Sequence, residues 1–226
     1  MYFFKAREEA MADYVIHVLQ AEHNEKTAKK FAFSPPHHDW GITAAFYSAI
    51  HYFESWLFYT KYKHTETSIP IDNKGKLKYT AHAWREKIVT DEFTRKSFKA
   101  FRKLRDASET ARYLSFSRVG RSNISWLDKP ASQYFKPQDA QKIIEKDLQI
   151  LKKELKIDLT KLLYSLQLER KISTARLVIS QILDRFKSRE EFLSASWTNL
   201  KQFLSEETLS VIQKKLEAQG QTVEWK

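Results

Sequence analysis

Apolar residues recur at three- and four-residue intervals through most of the chain, and the rhythm breaks at a few polar stretches bearing proline or glycine. From about residue 4 to 33, Met11, Val15, Val18 and Leu19 keep helical spacing with Lys and Glu between them, which predicts one or two helices. The stretch SPPHHDW, residues 34–40, ends that pattern and starts the next. There Ser34 is placed to cap, Pro35 suits a first helical position, and Asp39 adds negative charge near a helix N-terminus. A long aromatic-rich helix is expected from about residue 38 to 62.

The polar run KHTETSIPIDNKGK, with Pro70 and an Asn73-Lys-Gly75 turn signal, predicts a loop. A short helix at about 81–89 and a longer one at about 91–113 follow. In the longer one, Phe93, Phe98, Phe101, Leu104 and Ala111 form a broad apolar face. A second loop, 115–137, carries Gly120, Pro130 and Pro137, and an amphipathic helix is expected over 137–156. Beyond it the pattern shortens into helices at about 158–168, 172–186, 189–195, 197–204 and 206–219. Leu162, Leu163, Leu166, Leu177, Ile179, Ile182, Leu183 and Phe186 are placed to form a separate small core. The expected organisation is therefore an all-α bundle over 1–156 and a small helical module over 157–226.

Composition sharpens this picture. The 226 residues are 42% hydrophobic and 14% aromatic, enough for a packed core, and only four glycines and five prolines occur. No cysteine is present, which excludes disulfides and thiolate metal sites and fits a reducing cytoplasm. No apolar run reaches the roughly 20 residues that span a bilayer, and the N-terminus has no signal-peptide core, so no membrane association is expected.

The net charge is +11. Residues 1–156 carry 28 Lys/Arg against 19 Asp/Glu, or +9, and residues 157–226 carry 11 against 9, or +2. The excess lies in the first part, where it would attract RNA or another polyanion. Between Arg95 and Arg105 there are six basic residues and no acid, off the Phe98–Phe101–Leu104 stripe. Arg102 and Arg105 are the phosphate-contacting candidates there; a merely solvated surface helix has the same pattern.

Chemistry concentrates in three segments. Trp40, Ala44, Tyr47, His51 and Phe58 share one face of the aromatic helix, with Tyr47 and His51 one turn apart. A phenol beside an imidazole can set its tautomer or move a proton, and it can equally tie a helix to its neighbours. His82 and Arg85 are three apart, and Ser108, Arg112 and Tyr113 close the longer helix. Trp84 and Trp126 are core residues by base rate and stacking platforms by alternative. There is no P-loop, GxGxxG, GxSxG or HExxH, and His37-His38-Asp39 diverge too far on a helix to chelate well, so no metal or cofactor is expected.

In this order, Asp39-Trp40, Phe46-Tyr47-x-x-x-His51, His82-x-x-Arg85 and Ser108-x-x-Ala111-Arg112-Tyr113 resemble the HEPN superfamily of prokaryotic helical bundles, over about residues 10–115. That resemblance implies a HEPN-like up-and-down bundle in which these residues converge on one cleft. HEPN proteins include RNA-cleaving toxins, defence nucleases and non-catalytic partners, and relatives commonly dimerise. Of the residues the resemblance brings together, His51, His82, Arg85 and Arg112 are the catalytic candidates and Tyr47, Ser108 and Tyr113 the ligand-contact candidates, joined by Arg102 and Arg105 of the basic stretch. Cleavage without a metal needs a base for the 2′-OH and an acid or cation for the leaving oxygen.

The departure from the family is equally plain. Its ribonucleases carry Arg, then His four to six residues later. All seven histidines here lie at or before position 82, the only earlier arginine is Arg7, and the spacing is absent. Two expectations follow: an RNA-binding or metal-independent RNA-cleaving protein of the toxin or defence kind, or a non-catalytic interaction subunit with a protein partner or a second copy of itself. The C-terminal part resembles helix-hairpin-helix modules such as the one ending the bacterial RNA polymerase alpha subunit. Its turn lacks glycine, and Glu206 and Glu207 would repel phosphate there. A protein-interaction or packing role is expected, with Ser205 as the N-cap of the last helix.

Overall fold

Chain reversal at SPPHH brings two long helices side by side. In the computed structural model, which describes residues 14–117, 124–166, 168, 175–221, 223 and 225, these are α1 (Tyr14–Ala32) and α2 (His38–Leu57). Residues 4–13 of the expected first helix, Met11 among them, lie outside the described residues. The fold is all-α, with one small exception: the expected second loop contains a two-stranded antiparallel ribbon, β1 (Ser115–Ser117) and β2 (Ile124–Trp126), with Phe116 opposite Ser125.

The described residues divide into two compact units, 14–58 with 62–152 and 59–61 with 153–225. In the first unit α2 is the axis. Gly41, Ile42, Ala45, Phe46, Ala49, Ile50, Tyr52, Phe53 and Leu57 are all buried, and each large apolar side chain among them contributes about 1.5–3 kcal/mol. α1 runs antiparallel to it along small residues. A Cβ on Gly41 would lie 2.9 Å from the Ala32 nitrogen and 3.1 Å from the Ala28 oxygen, so only glycine permits this approach. Ser48 Oγ, lower on α2, donates to the Ala21 carbonyl at 2.8 Å.

The Ser34 cap does not form. α2 begins at His38, and Ser34 Oγ instead donates to the Lys30 carbonyl of the preceding helix. His38 Nδ1 pairs with the Ala32 carbonyl at 2.9 Å, so His38 anchors the turn. α2 also ends at Leu57 rather than near 62. The loop after it contains one helical turn, α3 (Thr65–Ser68), and a reversal at Gly75, whose φ of +76° suits glycine.

α4 (Ala81–Glu92) precedes α5 (Arg95–Tyr113). The latter starts later than expected because Thr94 is extended and its hydroxyl accepts from the Ser97 N–H, a local cap that resets the helix. α5 packs on α2 through Phe101 and Leu104, while Phe93 and Phe98 are only partly buried. After α6 (Ala131–Tyr134), the predicted amphipathic helix appears as α7 (Pro137–Lys142), a π-helical stretch Ile143–Leu148, and α8 (Gln149–Glu154). The π stretch packs against α5 and α2.

In the second unit, α9 (Ile157–Ser165), α10 (Ala175–Arg185), α11 (Arg189–Leu193), α12 (Trp197–Lys201) and α13 (Glu206–Ala218) follow the predicted order closely. Its core includes Leu159, Leu163, Ile179, Ile182, Phe192, Leu200 and Ile212. Leu177 is a correction: it lies off the Val178–Ile179–Ile182 stripe and is 60% exposed. Ser188, Ser196 and Ser205 each cap a helix, the last by accepting from Thr208 N–H at 3.2 Å. No described helix is long and apolar enough to cross a membrane.

Candidate functional site

One strip of α2 escapes burial. Trp40 is 59% and Tyr47 38% exposed, Ala44 and His51 are half-buried, and the positions follow the helical face expected from their spacing. What surrounds the strip differs sharply from one end to the other.

At the Tyr47 end, α5 delivers Arg112. Its guanidinium donates to Tyr47 Oη at 3.0 Å and to Tyr113 Oη at 3.3 Å, and its Nε reaches the Ser108 carbonyl at 3.3 Å. The same cation lies 5.5 Å from the Tyr47 ring centre and 4.8 Å from that of Tyr113. Two tyrosines thus hold one arginine at the surface by hydrogen bonds and cation–π contact. Ser108 does not join them through its side chain. It is fully buried, and its hydroxyl has no hydrogen-bond partner among the described residues, so it faces the core rather than a ligand.

His82, at the start of α4, is exposed on one side and stacks on buried Phe46 with the other, at 6.3 Å between ring centres and 26° between planes. Partial burial lowers its pKa, and the positive charges of Arg85, Arg112 and Arg105 lower it further. The imidazole is therefore neutral at pH 7 and has a free base form beside several cations.

At the His51 end the setting is interior. Glu54, one turn along α2, is 2% exposed and forms the hub. Its Oε1 accepts from Arg85 Nε at 2.7 Å and from the Thr65 hydroxyl, its Oε2 accepts from Thr65 N–H at 3.0 Å, and His64 Nε2 stands 3.5 Å away. Burial alone would raise the Glu54 carboxyl, but Arg85, His64 and Thr65 hold it below the usual carboxylate range. His51 Nδ1 lies 3.1 Å from His17 Nδ1 of α1, and the His17 ring is 5.4 Å from the rings of both His51 and His64. Burial lowers His17 to about 4, with the neighbouring histidines and Arg85 reinforcing it against the pull of Glu54. His51 is lowered by burial and by Arg85. These rings are neutral at pH 7, so one Nδ1 donates and the other accepts.

Arg102 and Arg105 occupy a third setting. Arg105 pairs with Glu86 of α4, and it donates to Asp106 at 2.7 Å. Arg102 approaches Glu86 at 3.9 Å and lies over the Phe98 ring. Their charge is neutralised within the fold, whereas Arg95, Lys96 and Lys99 on the same helix remain exposed. Trp84 is core: its Nε1 donates to Ser68 Oγ at 2.8 Å. The side chain of Trp126 lies outside the described residues.

Sequence reading missed His17, Glu54, His64 and Thr65. A signal existed for Glu54, since Tyr47, His51 and Glu54 are spaced by four and three and a carboxylate in an otherwise apolar helix requires a partner. His17, Thr65 and His64 gave none, because their elements meet only in space. Among the described residues no three His, Asp or Glu side chains converge as metal ligands. No family model matches the chain, and no curated protein or solved structure matches it either.

Proposed function

We propose that the chain is a HEPN-like protein that binds single-stranded RNA on the face formed by Tyr47, His82, Arg112 and Tyr113. The observation that carries this reading is the half-buried Arg112 guanidinium held against two exposed phenol rings. Such an arrangement offers a cation for a phosphate and flat π surfaces for unpaired bases, the two requirements of sequence-tolerant single-strand binding. The basic excess of residues 1–156 supports it by long-range attraction.

Cleavage is the finer form of the reading. His82, neutral beside Arg85 and Arg112, has the properties of a base for a 2′-OH, with Arg112 stabilising charge at the phosphate. The competing class, a non-catalytic interaction subunit, draws support from His51 and Arg85. Both are engaged inside the fold, which suits a scaffold role.

Fluorescence anisotropy with labelled oligouridylate at low salt tests the binding. Arg112→Ala should weaken it by roughly tenfold and flatten the salt dependence, as expected when one phosphate contact is lost. Any cleavage of longer RNA should vanish in His82→Ala protein that still binds. A wild-type chain without RNA affinity at low salt ends the reading.

A further inference from the structure

A cavity of about 410 Å³ opens on the first unit, away from the histidines, where α5, α6 and the π-helical stretch meet. Its size is within the range of small-molecule sites, about 300–1,000 Å³. The π geometry at its wall is itself a recurrent mark of functional positions.

Three features define what it would accept. Asp147 lies at 3% exposure, and among the described residues its salt-bridge partner, Lys103 Nζ, stands 3.8 Å away, beyond hydrogen-bond range, with Lys142 and Lys146 adding positive charge nearby. A largely buried carboxylate is costly unless its oxygens accept hydrogen bonds, and Asp147 lines the cavity, where a ligand bearing N–H groups would supply them. Tyr134 and Phe135 line the cavity as an edge-to-face pair, 5.1 Å between centres and 87° between planes, with Tyr134 43% exposed. They offer an aromatic wall for a planar ring. Lys103 and Lys142 are the basic lining residues, both exposed, and they repel a cationic ligand while attracting an anionic end. Asp139 also lines the space, but its Oδ2 accepts from the Lys136 N–H at 2.9 Å in the α7 cap.

We infer that this cavity is a guanine-nucleotide site: the base stacks on Tyr134, its N1–H and N2–H donate to Asp147, and the phosphate meets Lys103 and Lys142. A carboxylate has two acceptor oxygens and no donor, and among the bases guanine presents two adjacent N–H donors on its Watson–Crick edge. Adenine and cytosine place an acceptor beside their donor, and uracil flanks its single N–H with two carbonyls. The same chemistry can come from free 5′-GMP or from a guanosine within RNA. The inference is independent of the Arg112 face.

Calorimetric titration of the full chain with 5′-GMP and 5′-AMP, and with short oligouridylate carrying one guanosine, tests it. GMP should bind at least roughly tenfold tighter than AMP, and Asp147→Asn, which replaces one acceptor with a donor, should remove that preference. Lys142→Ala should weaken GMP but not guanosine. Should Asp147→Asn fail to fold, Tyr134→Ala at the exposed rim should weaken GMP in a folded chain. Binding of the guanosine-bearing oligonucleotide alone, lost in Asp147→Asn, assigns the pocket to RNA guanine. Equal affinity for GMP and AMP with no guanosine effect in the oligonucleotide overturns the inference, as does unchanged binding by Asp147→Asn. Plain oligouridylate, sensitive to Arg112→Ala and not to Asp147→Asn, reports the separate RNA face.

Discussion

Tyr47 and His51 stand one turn apart on the same strip of α2, yet they belong to different chemical worlds. Tyr47 faces solvent with Arg112 and Tyr113, whereas His51 meets His17 beside the buried Glu54–Arg85 pair. The same residue classes, imidazole, guanidinium and phenol or carboxylate, occur at both ends. Burial decides what they do. In the interior, charge has to be matched within the fold, so Arg85 and Glu54 become structural. Nearer the surface, half-buried Arg112 keeps donor capacity and part of its charge open for a ligand to use.

The sharpest way to break this contrast is Glu54→Ala. It strands the Arg85 guanidinium in a largely buried position, and loss of about 3–5 kcal/mol is expected by urea denaturation. A loss no larger than that of an exposed site would mean the hub does not hold the fold.

Acid titration separates the regions next. His17 falls from 6.5 to about 4 on folding, so the unfolded chain binds more protons between those values. Its contribution is complete above about pH 6.5 and is lost as pH drops toward 4. Glu25 adds a second, lower window. Burial would raise its carboxyl, but Lys29, Lys152 and Tyr52 hold it at about 2, so its contribution persists above 4.5 and is lost toward pH 2. Thermal melts across pH 2–7 should show both declines, and His17→Gln should erase most of the upper one.

A smaller effect is expected for His51→Ala: about 1–2 kcal/mol of stability, from an unpaired His17, with RNA affinity unchanged. Loss of RNA binding in a folded His51→Ala chain would merge the two ends of the strip into one site. Smallest of all, Ser108→Ala should be neutral within about 0.5 kcal/mol, because the buried hydroxyl has no partner to lose. A large penalty would reveal a bond that the fold does not otherwise require.

The chain's own pattern was sufficient for the helical class, for the order of elements in the second unit, and for the Ser205 cap, because these depend on residues within one or two turns of each other. It also marked the strip of α2, since helical spacing fixes which side chains share a face. It misplaced the Ser34 cap, the start of α5 and Leu177, where neighbouring groups or a competing local cap outweighed the pattern. Only the tertiary structure decided which end of the strip is wet, that Ser108 faces the core, that Arg102 and Arg105 meet Glu86, and that Asp147 lines a cavity. Those outcomes rest on contacts between segments as far apart as His17 and His51 or Lys103 and Asp147. Periodicity says that a side chain faces inward or outward along its own helix; it carries no record of which charges and rings arrive from the rest of the chain to meet it.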